Sequence, residues 1–318
     1  MIDATSPTVA TQPTNMPKKW ANLPLIRGVY KCAEPLDRYT TFRIGGPAEI
    51  LYTPADLADL ANFWRQQPQD IELTLLGEGS NILIRDGGIP GVVIHIGPGC
   101  DAVTLDGTLM RAEAGASTGK VARMARQAEL TNAEFICGIP GSIGGALKMN
   151  AGCYGSELID ILEAVEVITH TGEHRTVSPQ ELGFAYRTSA LPEGWIFAAA
   201  HLRLQPGNRD DIREKMRTVN HNRAASQPLE LPNAGSLFKN PEGPKKAWQL
   251  IEGAGCRGLR KGDAQVSEKH CNFFVNLGKA TAADMEDLAE DVRARVLAQT
   301  GVNLVWEVKV LGTRKCAF

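Results

Sequence analysis

Two glycine-rich segments contain residues whose types and spacing suggest ligand binding. One spans residues 134–152, with Gly138, Gly141, Gly144, Gly145 and Gly152, and the other reads Gly-Glu-Gly-Ser-Asn over 77–81. Glycine has no Cβ, so such backbone can visit positive φ and bring its N–H groups close to a bulky anion. Neither segment has the Lys-Ser/Thr pair of a P-loop or a helix-opening G-x-G-x-x-G. The pattern favours a dinucleotide diphosphate held by backbone groups, and a plain structural turn is the alternative at each segment.

A series of further motifs, in a fixed order, resembles the UDP-N-acetylenolpyruvoylglucosamine reductase (MurB) family. The first is Tyr-Thr-Thr-Phe-Arg-Ile-Gly-Gly-Pro-Ala at 39–48, followed by the two glycine-rich segments. Ala-Tyr-Arg-Thr-Ser at 185–189, Pro-Asn-Ala-Gly-Ser-Leu-Phe-Lys-Asn-Pro at 232–241 and Trp-Glu-Val at 306–308 complete the series. The resemblance covers roughly residues 30–312. Each motif is moderately specific, but their common register makes the combination highly specific.

The resemblance implies an enzyme of peptidoglycan precursor synthesis with an α+β fold. Its expected parts are a two-lobed FAD-binding domain of the vanillyl-alcohol-oxidase/PCMH type over 21–205 and an α+β substrate-binding domain over 206–318. The final strand is expected to return to the active site. Non-covalent FAD is the expected cofactor and NADPH the co-substrate. The substrate is the enolpyruvyl ether of UDP-N-acetylglucosamine.

The same resemblance assigns cofactor-binding residues. They are Arg43, Ile44, Gly45, Gly77, Gly79, Ser80, Asn81, Gly138, Pro140, Gly141, Ser142, Gly145, Ala146 and Asn150.

Three side chains are the expected catalytic groups. Hydride transfer to the enolpyruvyl group leaves negative charge that spreads into the adjacent carboxylate, so the site needs a cation, a hydrogen-bond donor and an acid. The resemblance gives Arg187 as the cation, protonated Glu307 as the donor and Ser236 as the proton donor to carbon. From the residues alone, a solvated loop arginine, a Glu307–Lys309 pair on a strand face and a local turn serine remain the alternatives.

Substrate binding is expected at residues beside these catalytic groups. Lys239 and Asn240 follow Ser236 and suit the diphosphate, although a solvated turn lysine is an equal alternative. Gln265 and His270 are weaker candidates for substrate binding. Tyr186, which precedes Arg187, is a further candidate. The family differs in a tyrosine-bearing loop that covers the substrate. Residues 204–228 here predict a helix without aromatics, so the chain resembles the shorter subtype.

Composition limits the other function classes. The chain has 318 residues, a net charge of −2 and an odd number of cysteines without a C-x-x-C pair. These features argue against nucleic-acid binding, a disulfide framework and a zinc site, so no metal is expected. No apolar run is long enough to span a membrane, and the polar leader over 1–20 is expected to be disordered. We expect a cytoplasmic monomer or weak dimer.

Hydrophobic periodicity and capping signals predict mixed α/β elements. Helices are predicted to begin at Thr53, Ser117, Asn208 and Thr281, with a short helix around Trp248–Ile251. Strands are predicted at 73–76, 82–84, 92–96, 108–113, 163–169, 195–204, 273–277 and 304–311.

Three alternative functions remain open: another flavin oxidoreductase of the same fold, a flavin-free NAD(P) dehydrogenase and a non-catalytic nucleotide-sugar-binding relative.

Overall fold

The computed structural model describes residues 16–315. The predicted leader therefore lies mostly outside the described residues. Its last residues differ from the expectation, because Lys18–Trp20 form a turn of 3-10 helix and Trp20 is buried. Among residues 16–315, no helix combines the length and the apolar character that crossing a membrane requires.

Strands and helices alternate irregularly along the chain. The strands are β1 (Val29–Pro35), β2 (Pro47–Thr53), β3 (Leu73–Leu76), β4 (Ile82–Ile84), β5 (Ile89–His95), β6 (Val103–Asp106), β7 (Leu109–Glu113), β8 (Leu130–Thr131), β9 (Gly152–Cys153), β10 (Ser156–Glu157), β11 (Leu162–Ile168), β12 (His174–Val177), β13 (Ile196–Arg203), β14 (Gln205–Pro206), β15 (Arg260–Lys261), β16 (Ala264–Val266), β17 (Phe274–Asn276) and β18 (Lys309–Leu311). The helices are α1 (Leu57–Gln66), α2 (Thr118–Gln127), α3 (Ile143–Met149), α4 (Arg209–Ser226), α5 (Ala247–Gly253) and α6 (Ala282–Thr300).

The chain divides into two compact units. Among residues 16–315, the first consists of 16–32, 50–77 and 91–216, and the second of 33–49, 78–90 and 217–315. The second unit thus includes two early segments as well as the C-terminal part of the chain. The functional domain ranges 21–205 and 206–318 stay a proposal.

The first unit contains two hydrophobic cores. One lies around α1 and the sheet of order β1-β2-β5-β3, where the Tyr52 and Phe63 rings are 4.6 Å apart. The helix start predicted at Thr53 is wrong, because Thr53 ends β2 and the N-cap is Asp56, whose side chain accepts a hydrogen bond from the Asp59 N–H.

The second core of this unit packs α2 and α3 against a five-stranded sheet of order β12-β11-β13-β7-β6. The neighbouring pairs in this sheet are antiparallel, with Val165 opposite Ala200 and Ala200 opposite Ala112. Ala200 and Ala112 are buried in this core together with residues of α2 and α3. Ser117 caps α2 as predicted, and its side chain accepts from the Lys120 N–H at 3.2 Å.

The second unit has one core, formed by α5, α6 and the antiparallel sheet β15-β16-β17. The predicted start of α6 at Thr281 is confirmed, and the helix ends before Gly301, its C-cap residue, which has φ 73°. The strand predicted over 304–311 is wrong in extent. Only β18 pairs regularly, parallel to β4, and the chain before it makes a single bridge between Trp306 and Phe238.

Residues 209–226 form α4, so the helix predicted within 204–228 is confirmed. Asn208 caps it, because its Oδ1 accepts from the N–H groups of Asp210 and Asp211 at 2.8 and 3.2 Å. Ile212 is the buried residue of this helix.

Candidate functional site

In the first unit, the segment 138–146 turns tightly into α3. Thr118 Oγ1 donates to the carbonyl of Gly141 at 3.1 Å, and the Ile143 N–H donates to Ala116 at 2.9 Å. Gly141 has φ 118°, a backbone conformation that residues with side chains rarely adopt. A Cβ on Gly144 would lie 3.0 Å from that of Ala114. These contacts show why some glycines here are required by the fold itself.

Gly77 lies against the same segment. A Cβ on Gly77 would lie 2.7 Å from Ser142 Oγ, the atom that also accepts from the Gly145 N–H at 3.4 Å. By contrast, a Cβ on Gly145 would meet only Ser142 Oγ, at 3.7 Å. The structure therefore brings two predicted cofactor-binding segments together and leaves open space beside Gly145.

Arg187 occupies a tight turn of the first unit. The N–H and C=O groups of Ala185 and Thr188 bond reciprocally at 3.1 Å, which closes the turn around Tyr186 and Arg187. Arg187 has φ 57°, a strained value for a non-glycine residue and one that often marks a functional site. Its guanidinium donates to the Gly152 carbonyl at 3.2 Å and lies 5.2 Å from the half-exposed ring of Tyr186.

Asn150 joins this turn to the glycine-rich segment. It is buried, caps α3 at φ 39°, and donates from Nδ2 to Glu157 at 2.8 Å and to the Ala185 carbonyl at 3.4 Å. Its Oδ1 accepts from the Ile159 N–H at 3.3 Å. The side chain that was predicted to bind cofactor thus bonds to protein groups and positions the Tyr186–Arg187 turn.

In the second unit, the segment 39–45 contacts the second half of the Gly-Glu-Gly-Ser-Asn loop. The Thr41 N–H and Oγ1 both approach the Gly79 carbonyl, at 3.3 and 3.4 Å. Gly79 has φ 59°, and a Cβ there would lie 2.2 Å from the Tyr39 carbonyl. Arg43 is exposed and has φ 54°, and the next residue, Ile44, is buried. The predicted cofactor-binding residues Arg43, Ile44, Gly45, Gly79, Ser80 and Asn81 are therefore close in this unit.

Ser236 and Glu307 lie on neighbouring segments of the same unit. The Glu307 N–H donates to the carbonyl of Leu237, the residue after Ser236, at 2.8 Å. Asn81 Nδ2 donates to the Glu307 carbonyl at 3.3 Å. Glu307 is half-buried, whereas Lys309 is exposed. The structure thus brings together the loop 79–81 and two of the three predicted catalytic residues.

Lys239 lies on this pair of segments as well. Its N–H donates to the Val305 carbonyl at 2.8 Å, and Phe238 stands opposite Trp306 with ring centroids 5.7 Å apart. In an antiparallel pair with 238 opposite 306, residues 239 and 307 share the other face as diagonal neighbours. Lys239 is half-buried there.

Asn272 is an organising residue that the sequence analysis missed. Its buried side chain accepts from the Phe238 N–H at 3.0 Å and donates to the Phe238 carbonyl at 2.8 Å. The amide thus makes the two hydrogen bonds that the backbone of a neighbouring strand would otherwise make. Asn276 acts similarly, donating to the Phe42 carbonyl at 3.0 Å. The available signal was two asparagines in the apolar run 271–277, where an amide must find partners.

The remaining predicted substrate-binding residues are more dispersed. Asn240 Oδ1 accepts from the Ala247 N–H at 3.1 Å, which closes the loop 240–247. His270 lies beside Phe273, which pairs with Ser236. Gln265 donates to the Gly258 carbonyl at 3.3 Å, in the turn beside its strand.

The electrostatics of His270 are set by burial. Desolvation and the nearby charge of Arg257 lower the pKa of His270, so the ring is neutral near pH 7. Within residues 16–315, His, Cys, Asp and Glu form no cluster of three or more that could hold a metal ion.

Two family models and several known proteins are similar to this chain. Residues 48–178 match the family described as "FAD binding domain", and 227–311 match "UDP-N-acetylenolpyruvoylglucosamine reductase, C-terminal domain". The UDP-N-acetylenolpyruvoylglucosamine reductase of Gluconobacter oxydans is 50% identical over 289 residues, covering 91% of this chain and 94% of that protein. The one of Paramagnetospirillum magneticum is 47% identical over 295 residues, covering 93% and 96%.

A solved structure is also similar. The crystal structure of UDP-N-acetylenolpyruvylglucosamine reductase (MurB) from Thermus caldophilus has a TM-score of 0.78 and 37% identity, covering 91% of this chain and 100% of that one. The predicted α+β fold class is confirmed. With these similarities over nearly its whole length, the chain belongs to the UDP-N-acetylenolpyruvoylglucosamine reductase family.

Proposed function

We propose that this protein binds FAD and, with NADPH as reductant, reduces UDP-N-acetylenolpyruvoylglucosamine to UDP-N-acetylmuramate. The observation that carries the proposal is the connection in the second unit between Asn81, Glu307 and the segment that begins at Ser236. The glycine-rich loop suited to a dinucleotide is thereby hydrogen-bonded to the backbone of Glu307, and the Glu307 N–H is bonded to the residue that follows Ser236.

The glycine-rich segments fit the diphosphate of FAD. Gly141 supplies a conformation that other residues rarely adopt, and Gly77 leaves no room for a Cβ against Ser142. Gly145 has space where a Cβ would stand, so the fold alone does not require glycine there. Backbone N–H groups of such a segment can meet phosphate oxygens directly. We assign FAD binding to Gly77–Asn81, Gly138–Ala146 and Arg43–Gly45, with Asn150 as a positioning residue.

Bound FAD would take hydride from NADPH and supply it to the terminal carbon of the enolpyruvyl group. The protein's own task is then to stabilise the negative charge that develops beside the substrate carboxylate and to protonate the adjacent carbon. Hydride and proton together saturate the double bond, which leaves the lactyl ether.

Arg187 suits the charge-stabilising role because a guanidinium remains charged and binds a carboxylate bidentately. Its strained φ indicates that the surrounding turn determines its position. Glu307, half-buried, would donate a hydrogen bond to the same carboxylate in its protonated form. Ser236 Oγ would deliver the proton to carbon, and it would regain one from water.

Substrate binding is assigned to residues around this centre. Lys239 shares a strand face with Glu307, and the Asn240 amide nitrogen is left to meet a phosphate oxygen because its oxygen caps the loop 240–247. Tyr186, Gln265 and His270 complete the assignment. The shorter subtype, a cytoplasmic location and a monomeric or weakly dimeric state are parts of the proposal that rest on the sequence.

An anaerobic absorbance experiment tests this proposal. The purified protein is examined as isolated, after NADPH, and after the enolpyruvyl nucleotide sugar. Flavin bands that bleach with NADPH and return with substrate are expected. Bands that bleach and stay bleached would mean that the reduced flavin passes its electrons to an acceptor other than this substrate. A protein that cannot take up FAD would overturn the proposal.

A further inference from the structure

Two buried asparagines stand at the ends of the segment 272–276 in the second unit. Asn272 is 3% exposed and Asn276 is 2% exposed. A buried amide needs hydrogen-bond partners for both its nitrogen and its oxygen, because water cannot supply them there. The partners of these two side chains lie on two different segments, and each of those segments carries residues of the proposed site.

Asn272 fixes the chain directly after Ser236. Its carbonyl accepts from the Leu237 N–H at 2.8 Å, and its side-chain amide makes both hydrogen bonds with the Phe238 backbone. From the other side, the Leu237 carbonyl accepts from the Glu307 N–H at 2.8 Å. The two residues that follow Ser236 are therefore held on both sides.

The chain before Ser236 turns at a glycine. Gly235 has φ 77°, and a Cβ there would meet nothing within 4 Å. The Gly235 N–H donates to Asn233 Oδ1 at 3.0 Å, which is a bond local to the turn. Because a glycine in open space restrains its neighbour only weakly, the bonds after Ser236 determine where its hydroxyl group lies.

Asn276 holds a segment that we assign to FAD. Its Nδ2 donates at 3.0 Å to the carbonyl of Phe42, the residue before Arg43. Its Oδ1 accepts from the N–H groups of Gly278 and Ala280, at 2.7 and 3.0 Å. These two bonds fix the orientation of the amide, so its nitrogen is aimed at Phe42.

We propose that Asn272 and Asn276 are positioning residues that set the place of Ser236 relative to the cofactor-binding residues Arg43–Gly45. The two asparagines are joined by β17 and by Phe273, which pairs with Ser236. The reacting carbon must lie within reach of both the flavin and the serine hydroxyl group, so their separation matters for proton delivery. This inference rests on the proposed function, which supplies the reaction and these roles.

The same substitution tests both asparagines. Asn272→Asp and Asn276→Asp keep the accepting oxygen and replace the donating amide nitrogen by a carboxylate oxygen. In Asn272→Asp, flavin reduction by NADPH should proceed as in the wild type. Reoxidation by substrate should slow about 10- to 100-fold, because a displacement of about 1 Å can cost a reacting group that factor. Asn220→Asp, at an exposed position of α4, is the matched control.

Asn276→Asp should act on the cofactor instead. We expect its Kd for FAD to rise about 5- to 10-fold, the equivalent of one hydrogen bond. At saturating FAD, its reoxidation by substrate should slow less than that of Asn272→Asp. FAD affinity equal to that of the wild type would overturn the role of Asn276.

A double-mutant cycle distinguishes positioning of Ser236 from general support of the fold. If Asn272 acts through Ser236, adding Asn272→Asp to Ser236→Ala should slow reoxidation little further. Two losses that multiply would overturn the role of Asn272. Equal slowing of flavin reduction and reoxidation in Asn272→Asp, or reoxidation at the wild-type rate, would overturn it as well.

Thermal melting shows whether each variant is folded. A buried carboxylate can prevent folding, so Asn272→Ala and Asn276→Ala, which introduce no charge, form a second pair with the same expected direction of change. A wild-type flavin that substrate does not reoxidise would refute the proposed function, and this inference with it. Wild-type reoxidation that does not respond to changes at Asn272 would refute the inference alone.

Discussion

The side-chain amide of Asn81 donates a hydrogen bond to the backbone carbonyl of Glu307 at 3.3 Å, across a sequence separation of 226 residues. The Lys309 N–H donates in turn to the Asn81 carbonyl at 3.0 Å. These bonds fix the point at which the chain after Glu307 enters β18 beside β4. The position of Glu307 therefore depends on the conformation of the glycine-rich loop.

Removal of the Asn81 amide should displace Glu307. We expect Asn81→Ala to destabilise the protein by about 1 kcal/mol, the usual net value of one hydrogen bond, and to slow substrate-dependent flavin reoxidation. Asn81→Asp should be no better, because a carboxylate cannot donate to the Glu307 carbonyl. Asn220→Ala, at an exposed position of α4, is the control. Full activity and full FAD content in Asn81→Asp would contradict the coupling.

Ser236→Ala should separate the two half-reactions. Flavin reduction by NADPH should proceed as in the wild type, whereas reoxidation by substrate should slow by about 10²- to 10⁴-fold, the usual contribution of a positioned acid. Stopped-flow absorbance measures both steps. Ser226→Ala, on the exposed face of α4, is the matched control. Reoxidation at the wild-type rate would exclude Ser236 as the proton donor.

Glu307 variants distinguish a neutral donor from an anion. If the carboxyl group works protonated, Glu307→Gln keeps an N–H donor and should retain more reoxidation activity than Glu307→Ala. Glu242→Gln, in the exposed part of the loop 240–247, should behave like the wild type. Equal losses in the Gln and Ala variants would count against the neutral-donor role.

The sequence predicted elements best where the local signal and the tertiary contacts agree. Ser117 and Thr281 are good N-cap residues and serve as caps, because neither residue is part of a named strand. Thr53 and Asp56 are both good caps, but β2 continues to Thr53, so only Asp56 remains for the helix. Whether Thr53 belongs to the strand or caps the helix depends on strand pairing, and the sequence alone does not show that pairing.

Long-range hydrogen bonds explain the other differences. The carbonyl of Leu237 accepts from the N–H groups of both Glu307 and Val308, at 2.8 and 3.3 Å, and this irregularity interrupts the strand that alternation predicted. The pairing of Asn272 with Phe238 likewise connects residues 34 apart. Motifs indicated which segments matter, whereas their mutual contacts required the structure.

The ion pair around Glu166 should make stability depend on pH. Hydrogen bonds from the Arg111 guanidinium, both 2.7 Å, and a further one with His201 lower the pKa of Glu166 from 4.5 in spite of partial burial. The unfolded chain thus binds the proton more readily than the folded one. The stabilisation is full above about pH 4.5 and is lost as the pH falls through the lowered pKa.

Glu166→Gln tests this dependence. The variant should be less stable than the wild type by roughly 1–2 kcal/mol at pH 7, and the difference should shrink below pH 4.5. Urea unfolding at a series of pH values measures it, with exposed Glu230→Gln as the control. A difference that stays constant down to pH 3 would show that Glu166 acts through packing rather than charge.

Gly77 allows the fold requirement and the ligand requirement to be separated. Gly77→Ala places a Cβ 2.7 Å from Ser142 Oγ, so the variant should lose about 1–3 kcal/mol of stability as well as FAD. Adding Ser142→Ala removes that oxygen and leaves Ser142 Cβ as the nearest atom, at 3.8 Å. The double variant should therefore regain part of the lost stability, although the Ser142 cap of α3 is lost.

FAD content decides what that recovered stability means. If phosphate oxygens approach the backbone at Gly77, the double variant should be folded and still deficient in flavin. Gly119→Ala is the matched control, since a Cβ there meets nothing within 4 Å, and it should stabilise α2 by about 0.5–1 kcal/mol with full flavin content. A double variant that regains wild-type flavin would mean that Gly77 serves only its contact with Ser142, because the methyl group would then occupy space that no ligand needs.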